Sequence, residues 1–191
     1  MSKQDFIYCE RGALPKETCN NIINFFEENM AFAYRGGFNG TKGGDIDDLE
    51  IALDIRSMPD LSTAIAKGIL NYKKRYPLID SNLTTWTITP VCQLMRYEPN
   101  KYYSRIHCEN DCYLRPSVER CFAWMIYLND IKRGGGTEFL HQKVIIKPRA
   151  GDFYIWPAGW THMHRGVNAP KEIKYIITGW YVYRDLTEES E

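Results

Sequence analysis

The sequence predicts a mainly β domain, an antiparallel sandwich or barrel of about eight strands preceded by two amphipathic helices. Three observations carry that expectation. Apolar residues recur at helical spacing in two stretches before Pro77, short runs rich in β-branched and aromatic residues take over after Thr84, and Gly, Pro and Asn divide those runs. Runs of strands that follow one another without helical segments between them fit an antiparallel architecture and not βαβ units. With 191 residues, 44% of them apolar and 14% aromatic, the chain is long enough for one domain with its own core. The expected organisation is a single domain over 1–191, with helical support over about 1–80 and the β core over about 84–185.

Leu14-Pro15-Lys16-Glu17 reads as a helix entry, with proline in the first turn and an acid near the positive end of the dipole. Cys19, Ile22, Ile23 and Phe26 then recur at helical spacing, which predicts a helix from about Lys16 to Glu28. Between Gly36 and Gly44 five glycines surround Phe38, Asn39, Thr41 and Lys42, too much backbone entropy for a regular element, so a loop is expected. Leu61, Ile65, Ile69 and Tyr72 mark a second helix that ends before Pro77. Strands are expected at about Trp86–Tyr97, Tyr103–Cys108, Cys121–Leu128, Thr137–Phe139, Val144–Lys147, Asp152–Trp156, His162–Arg165 and Ile173–Tyr183. The tail Thr187-Glu188-Glu189-Ser190-Glu191 has the composition of a disordered end.

Composition also narrows the function. Lys plus Arg equal Asp plus Glu at 24 each, so no overall field favours nucleic acid or an anionic membrane. The first residues lack the apolar core of a signal peptide, and no later segment approaches the ~18 uninterrupted apolar residues of a membrane helix, which points to a cytoplasmic protein. Cys9, Cys19, Cys92, Cys108, Cys112 and Cys121 form no CxxC pair and several sit in apolar runs, as reduced buried thiols do. Cys108 and Cys112 with His107 make half of a zinc site, but a second pair of ligands is missing.

His107-Cys108-Glu109 places an imidazole and a carboxylate two residues apart, and on an extended segment both point to one face. A third ligand would come from His162 or His164, with His141 the remaining histidine of four. Two histidines and one carboxylate on one side of an ion leave adjacent positions open, the pattern of non-haem iron oxygenases, and a zinc hydrolase is the competing expectation. In the last strand Lys174, Ile176, Thr178, Trp180 and Val182 share a face, so a lysine heads a largely apolar row. Burying its ammonium is costly without a partner, which a bound dicarboxylate would supply; snorkelling to water is the alternative. Cys121, Ala123, Met125 and Tyr127, and likewise Gln93, Met95 and Tyr97, form faces suited to a ligand wall or to plain core packing.

Taken together and in order, these residues resemble the prolyl 4-hydroxylase-like branch of the 2-oxoglutarate and iron(II)-dependent dioxygenases. The likeness runs from Leu14 to Tyr183. It includes Leu14-Pro15-Lys16-Glu17-Thr18-Cys19, Tyr97 ahead of His107-Cys108-Glu109, Arg120-Cys121 leading into Tyr127-Leu128-Asn129-Asp130, and Gly134-Gly135-Gly136-Thr137-Glu138-Phe139. Lys147-Pro148-Arg149-Ala150-Gly151-Asp152 and His164-Arg165-Gly166 before Lys174 and Trp180 complete it. The resemblance implies a double-stranded β-helix (jelly-roll) core of about eight antiparallel strands. It implies Fe(II) held by an H-x-D/E pair and a distal histidine, and a basic residue nine or ten positions further on that binds the distal carboxylate of 2-oxoglutarate. Lys174 lies ten positions past His164 and twelve past His162, which selects His107, Glu109 and His164 as catalytic metal ligands and leaves His162 as a neighbour on the same strand face. By the same resemblance Tyr127 shares the distal carboxylate with Lys174, Tyr97 contacts the co-substrate from the opposite wall, and Asn129 and the Gly134–Gly136 turn are architectural.

Two features depart from the family pattern. Glu109 stands where aspartate is more usual, and Asp111 shares its face as a reserve ligand if the strand continues. The implied reaction consumes 2-oxoglutarate and O2, releases succinate and CO2, and hydroxylates a peptide or small-molecule substrate, peptidyl proline being the leading analogy, with ascorbate as a reductant. The Gly36–Gly44 loop with Phe38 and the segment Asn110–Val118 are candidate lids or simple connectors. A non-catalytic jelly-roll binding module is the alternative from another class.

Overall fold

In the computed structural model, the described residues are 5–35, 48–80, 85–110, 115 and 117–184. The helices are α1 (Lys16–Glu28) and α2 (Pro59–Arg75). The strands among the described residues are β1 (Tyr8–Glu10), β2 (Tyr34–Arg35), β3 (Leu49–Asp54), β4 (Trp86–Ile88), β5 (Val91–Tyr97), β6 (Arg120–Tyr127), β7 (Thr137–Phe139), β8 (Val144–Ile146), β9 (Phe153–Pro157), β10 (His164–Gly166) and β11 (Lys174–Tyr183). Among the described residues the strands pair antiparallel throughout. The large sheet runs β1-β9-β6-β11-β5-β3-β2 with β4 beside the end of β11, and the small sheet runs β10-β7-β8. Two facing antiparallel sheets make the expected jelly roll.

Both helices lie where the apolar spacing predicts them. Helix α1 follows Pro15 with Glu17 in its first turn and buries Cys19, Ile22 and Phe26. Helix α2 opens on Pro59, carries Asp60 in its first turn and Lys73, Lys74 and Arg75 in its last, and buries Leu61, Ala64, Ile65 and Tyr72, so its charges oppose its dipole at both ends. At Gly68 it passes so close to β9 that a Cβ would lie 2.4 Å from the Phe153 ring.

Alternation along the central strands divides the interior in two. Trp124, Ile126, Phe153, Ile155 and Ile177 face the helices and pack with Phe26, Leu61, Ile65 and Tyr72. Met95, Tyr97, Ala123, Met125, Tyr127, Trp156 and Ile176 face the other way, toward Phe139 of the small sheet. The helices therefore close the outer face of the large sheet, and its inner face is left to line a cavity. Arg96 ties α1 to the sheet, donating from Nε to Glu27 Oε1 at 2.9 Å and to Tyr175 Oη at 3.2 Å.

The structure departs from the sequence reading in five places. The Trp86–Tyr97 run is two strands, broken at Thr89-Pro90 because proline cannot donate to the ladder, and both halves pair with β11. Tyr103–Cys108 is irregular and meets β10 through an isolated bridge between His107 and His164 and a 2.7 Å hydrogen bond from Gly166 N to Tyr103 O, without forming a strand. Trp160–His162 is a 3-10 turn, so His162 and His164 do not share a strand face. Strand β1 on one edge, and β3 with its short partner β2 on the other, extend the large sheet from within the region expected to be helical support.

The fifth departure is a β-bulge. Tyr181 pairs with Phe122 but Val182 pairs with Arg120, which leaves Cys121 as the extra residue on β6. Cys121 consequently packs on the helix side, away from Ala123 and Met125, and Arg120 turns inward instead. Among the described residues no helix is long and apolar enough to cross a membrane.

Candidate metal centre

His107, Glu109 and His164 come together, each offering one ligand atom, with all three atoms within 4.8 Å of one another. His164 Nε2 lies 3.3 Å and His107 Nε2 3.8 Å from Glu109 Oε1. The pairing that brings them together is local. His107 and His164 exchange both backbone hydrogen bonds, at 3.0 and 2.9 Å, and their rings stand 4.3 Å apart. Each ring is also held from behind. His107 Nδ1 donates to Arg105 O at 3.0 Å and His164 Nδ1 to His162 O at 2.9 Å, which turns both Nε2 atoms toward Glu109.

Glu109 is largely buried and charged. Burial opposes its ionisation, but the hydrogen bond to His164 and the charges of His107, His164 and Arg120 outweigh it and bring the carboxyl down to about 2. Its second oxygen, Oε2, accepts a 2.6 Å hydrogen bond from Trp180 Nε1 and lies 3.7 Å from Arg120 Nη1. Two imidazoles whose Nε2 atoms converge on one ionised carboxylate are a donor set that fits a divalent first-row metal and leaves its other positions to exogenous ligands.

These residues border a cavity of about 310 Å³ between the sheets. Met95, Tyr97, Met125, Trp156, Ile176 and Trp180 give it apolar walls, and Gln93, Thr137, Lys174 and Thr178 supply polar groups. Lys174 is 3% exposed, faces Tyr97 across the strand pair, and rests its Nζ 4.3 Å over that ring. Burial pulls its ammonium down to about 8, against the opposing charge of Asp48. Glu50 on β3 also borders the cavity, and burial followed by Asp48's charge raises its carboxyl to about 7.

The other candidates have other surroundings. His162 is buried outside the cavity, bonded through Nε2 to Asp5 O at 2.9 Å and through Nδ1 to Thr161 Oγ1 at 3.0 Å, so it pins the N-terminal segment to the 3-10 turn. His141 is exposed against Trp160. Tyr127 lies behind the wall with its hydroxyl 2.9 Å from Thr137 Oγ1, and it is Thr137 that borders the cavity. Asn129 braces the head of β11, accepting from Tyr175 N and donating to Ile173 O. At Gly134, with φ +73°, a Cβ would lie 1.9 Å from Asn168 O. Asp111, Cys112, most of the Asn110–Val118 segment, the Gly36–Gly44 loop and the C-terminal tail fall outside the described residues.

The sequence alone did not single out Thr137, Arg120 or the β3 acids. Leu49, Ile51 and Leu53 alternate with Glu50, Ala52 and Asp54, a period-2 signal for β3 that was there to be found. Nothing comparable marks the bulge that turns Arg120 inward.

A His/Glu/His triad that could hold a metal ion, bordering the cavity of a jelly roll, is the donor set expected of a non-haem metal oxygenase. Residues 92–182 match the 2OG-Fe(II) oxygenase superfamily. No curated protein sequence matches. Among solved structures the chain is similar to a viral collagen prolyl hydroxylase from Paramecium Bursaria Chlorella virus-1 in complex with 2OG, at TM-score 0.72 and 18% identity over 94% of this chain and 97% of that one. It is similar to a Pseudomonas putida prolyl-4-hydroxylase at TM-score 0.64 and 19% identity, over 94% and 93%. A third neighbour is a Trichoplax adhaerens prolyl hydroxylase in complex with a hypoxia inducible factor peptide fragment, at TM-score 0.70 and 14% identity, over 94% and 84%. The match over residues 92–182, on a fold shared with these neighbours, supports a dioxygenase of the 2OG-Fe(II) type.

Proposed function

We propose that this dioxygenase is a hydroxylase of the prolyl 4-hydroxylase type, acting on peptidyl proline or a related substrate, with His107, Glu109 and His164 as its Fe(II) ligands and Lys174 as the anchor of 2-oxoglutarate. One observation carries the proposal: the three ligand atoms and a buried ammonium border the same cavity. When bound, Fe(II) with 2-oxoglutarate supplies oxidation of a substrate C–H to C–OH coupled to decarboxylation to succinate and CO2, with ascorbate as an external reductant.

The residues present supply position and charge. Lys174 offers a localised cation in a dry part of the cavity, where a distal carboxylate relieves the cost of its burial. Tyr97 holds that cation in place, and Tyr127 acts on the co-substrate through Thr137, whose hydroxyl it orients. A zinc hydrolase or a plain binding module has no evident use for a buried lysine beside the triad. The peptide substrate is favoured by the fold shared with three prolyl hydroxylases, one of them solved with a peptide fragment.

The test is an anaerobic titration of the Fe(II)-loaded protein with 2-oxoglutarate. A visible metal-to-ligand charge-transfer band is expected, followed on admitting air by succinate and, with proline-containing peptides, a mass gain of one oxygen. The absence of both the band and succinate would refute the assignment. Succinate without any oxidised peptide would confine the error to the substrate.

A further inference from the structure

Building on the metal site proposed above, we infer that Trp180 and Arg120 are positioning residues that hold Glu109 as a one-oxygen ligand, Oε1 to the metal and Oε2 to the protein. The carboxylate is divided between two partners. Oε1 faces both imidazole Nε2 atoms, at 3.3 and 3.8 Å, whereas Oε2 accepts the 2.6 Å bond from the Trp180 indole N–H. A bond that short to an ionised oxygen is charge-assisted and directional, and it aims one lone pair of Oε2 at the indole.

Arg120 closes the arrangement from the other side. Its guanidinium stacks on Trp180 3.7 Å from the ring centroid, its Nη1 donates to Glu109 O at 3.2 Å, and the same nitrogen lies 3.7 Å from Oε2. A planar cation on an indole face resists rotation of the ring, so the N–H stays aimed at the carboxylate. The fold builds this contact deliberately: without the bulge at Cys121, strict alternation would put Arg120 on the helix side with Trp124 and Ile126. Glu109 thus leaves one position at the metal unfilled that a two-oxygen carboxylate would occupy, a position the co-substrate or dioxygen needs.

The experiment uses Co(II) as the probe of the intact protein, read by equilibrium affinity and by the intensity and position of its visible ligand-field bands. Trp180→Phe keeps the ring and deletes the donor. It is expected to weaken Co(II) binding by about 10-fold, within the range typical of partners behind metal ligands, and to shift the bands as Oε2 swings to the metal. Glu109→Asp shortens the arm so that one carboxylate cannot serve both partners. In that background Trp180→Phe should therefore cost less than about 2-fold more. Arg120→Gln provides a second variant with the indole intact, expected to move the bands in the same direction by a smaller amount.

Unchanged bands and affinity in both Trp180→Phe and Arg120→Gln, with Co(II) binding abolished in Glu109→Ala, would overturn the clamp while leaving the ligand set standing. Full additivity of Trp180→Phe and Glu109→Asp would also overturn it. Co(II) binding that survives unaltered in Glu109→Ala would overturn the clamp together with the metal site it rests on.

Discussion

Replacing Lys174 by Met should push folding stability and co-substrate affinity in opposite directions. In the ligand-free protein the ammonium is buried and its pKa falls from 10.5 to about 8, chiefly through loss of solvation. At roughly 1.4 kcal/mol for each tenfold change, that corresponds to about 3 kcal/mol of stability given up at neutral pH. The sign follows from proton binding: the folded state holds this proton less tightly than the unfolded chain. The penalty is full below pH about 8 and is relieved as pH rises toward 10.5. Methionine of similar length removes it, and the net gain is smaller by whatever Asp48 loses when its cationic neighbour goes, so Lys174→Met should raise the melting temperature of the ligand-free protein by a few degrees.

Binding moves the other way. A distal carboxylate entering the same pocket would meet no cation, and losing a charge-assisted hydrogen bond of about 2–3 kcal/mol weakens 2-oxoglutarate by roughly 30- to 150-fold. Thermal melts of the ligand-free protein and anaerobic titration of the charge-transfer band measure the two effects separately. A variant that melts earlier and binds 2-oxoglutarate normally would refute the assignment of Lys174 as anchor.

Three further outcomes can be measured. The dissociation constant for 2-oxoglutarate should rise by up to tenfold per pH unit above pH about 8, where Lys174 loses its proton, beyond the smaller change as Glu50 ionises near 7, whereas a 2-oxo acid without the distal carboxylate should lack the rise above 8. Gly68→Ala forces a methyl into the Phe153 ring and should cost about 1–3 kcal/mol, visible as a lower melting temperature with 2-oxoglutarate affinity unchanged. Thr137→Val should weaken 2-oxoglutarate at least as much as Tyr127→Phe does, because only Thr137 borders the cavity; the reverse order in titration would show that Tyr127 reaches the ligand directly.

The parts of the molecule legible in the sequence are those governed by local periodicity. Both helices, strands β7 and β11, and the inward faces of Gln93-Met95-Tyr97 and Lys174-Ile176-Thr178 follow from spacing alone, since burial against one partner imposes a fixed period. Legibility fails where the backbone leaves its period. His162 sits two residues from His164 but on a 3-10 turn, so the spacing that would align them in a strand instead sends it to the Asp5 carbonyl. Arg120 reaches the site through a bulge, and a bulge changes the parity of every residue beyond it without changing the sequence pattern that precedes it. Strand β3 is a third case: its alternation is present, but its place in the sheet depends on pairing with β5, a contact about 40 residues distant that no window of sequence contains.

The proposed metal ligands sit where periodicity is weakest, and the structure shows why this does not make them loose. His107 and Glu109 come from an irregular segment attached to the small sheet by the bridge between His107 and His164 and by a bond from Gly166 N to Tyr103 O. That bridge joins the two ligand histidines to each other, so the backbone bonds that anchor the segment also set the distance between the imidazoles. Glu109 is then fixed independently: its N–H donates to Ala158 O at 2.9 Å, its carbonyl accepts from Arg120, and its carboxylate accepts from Trp180. Each ligand is thus held by at least one bond to main chain and one to a group behind it, which is the condition for a site to be formed before the metal arrives. A strand carrying both His107 and Glu109 in regular alternation would need a full ladder to hold it, and that ladder would run along the edge of the cavity. A few backbone bonds and the contacts to Glu109 hold these side chains without it.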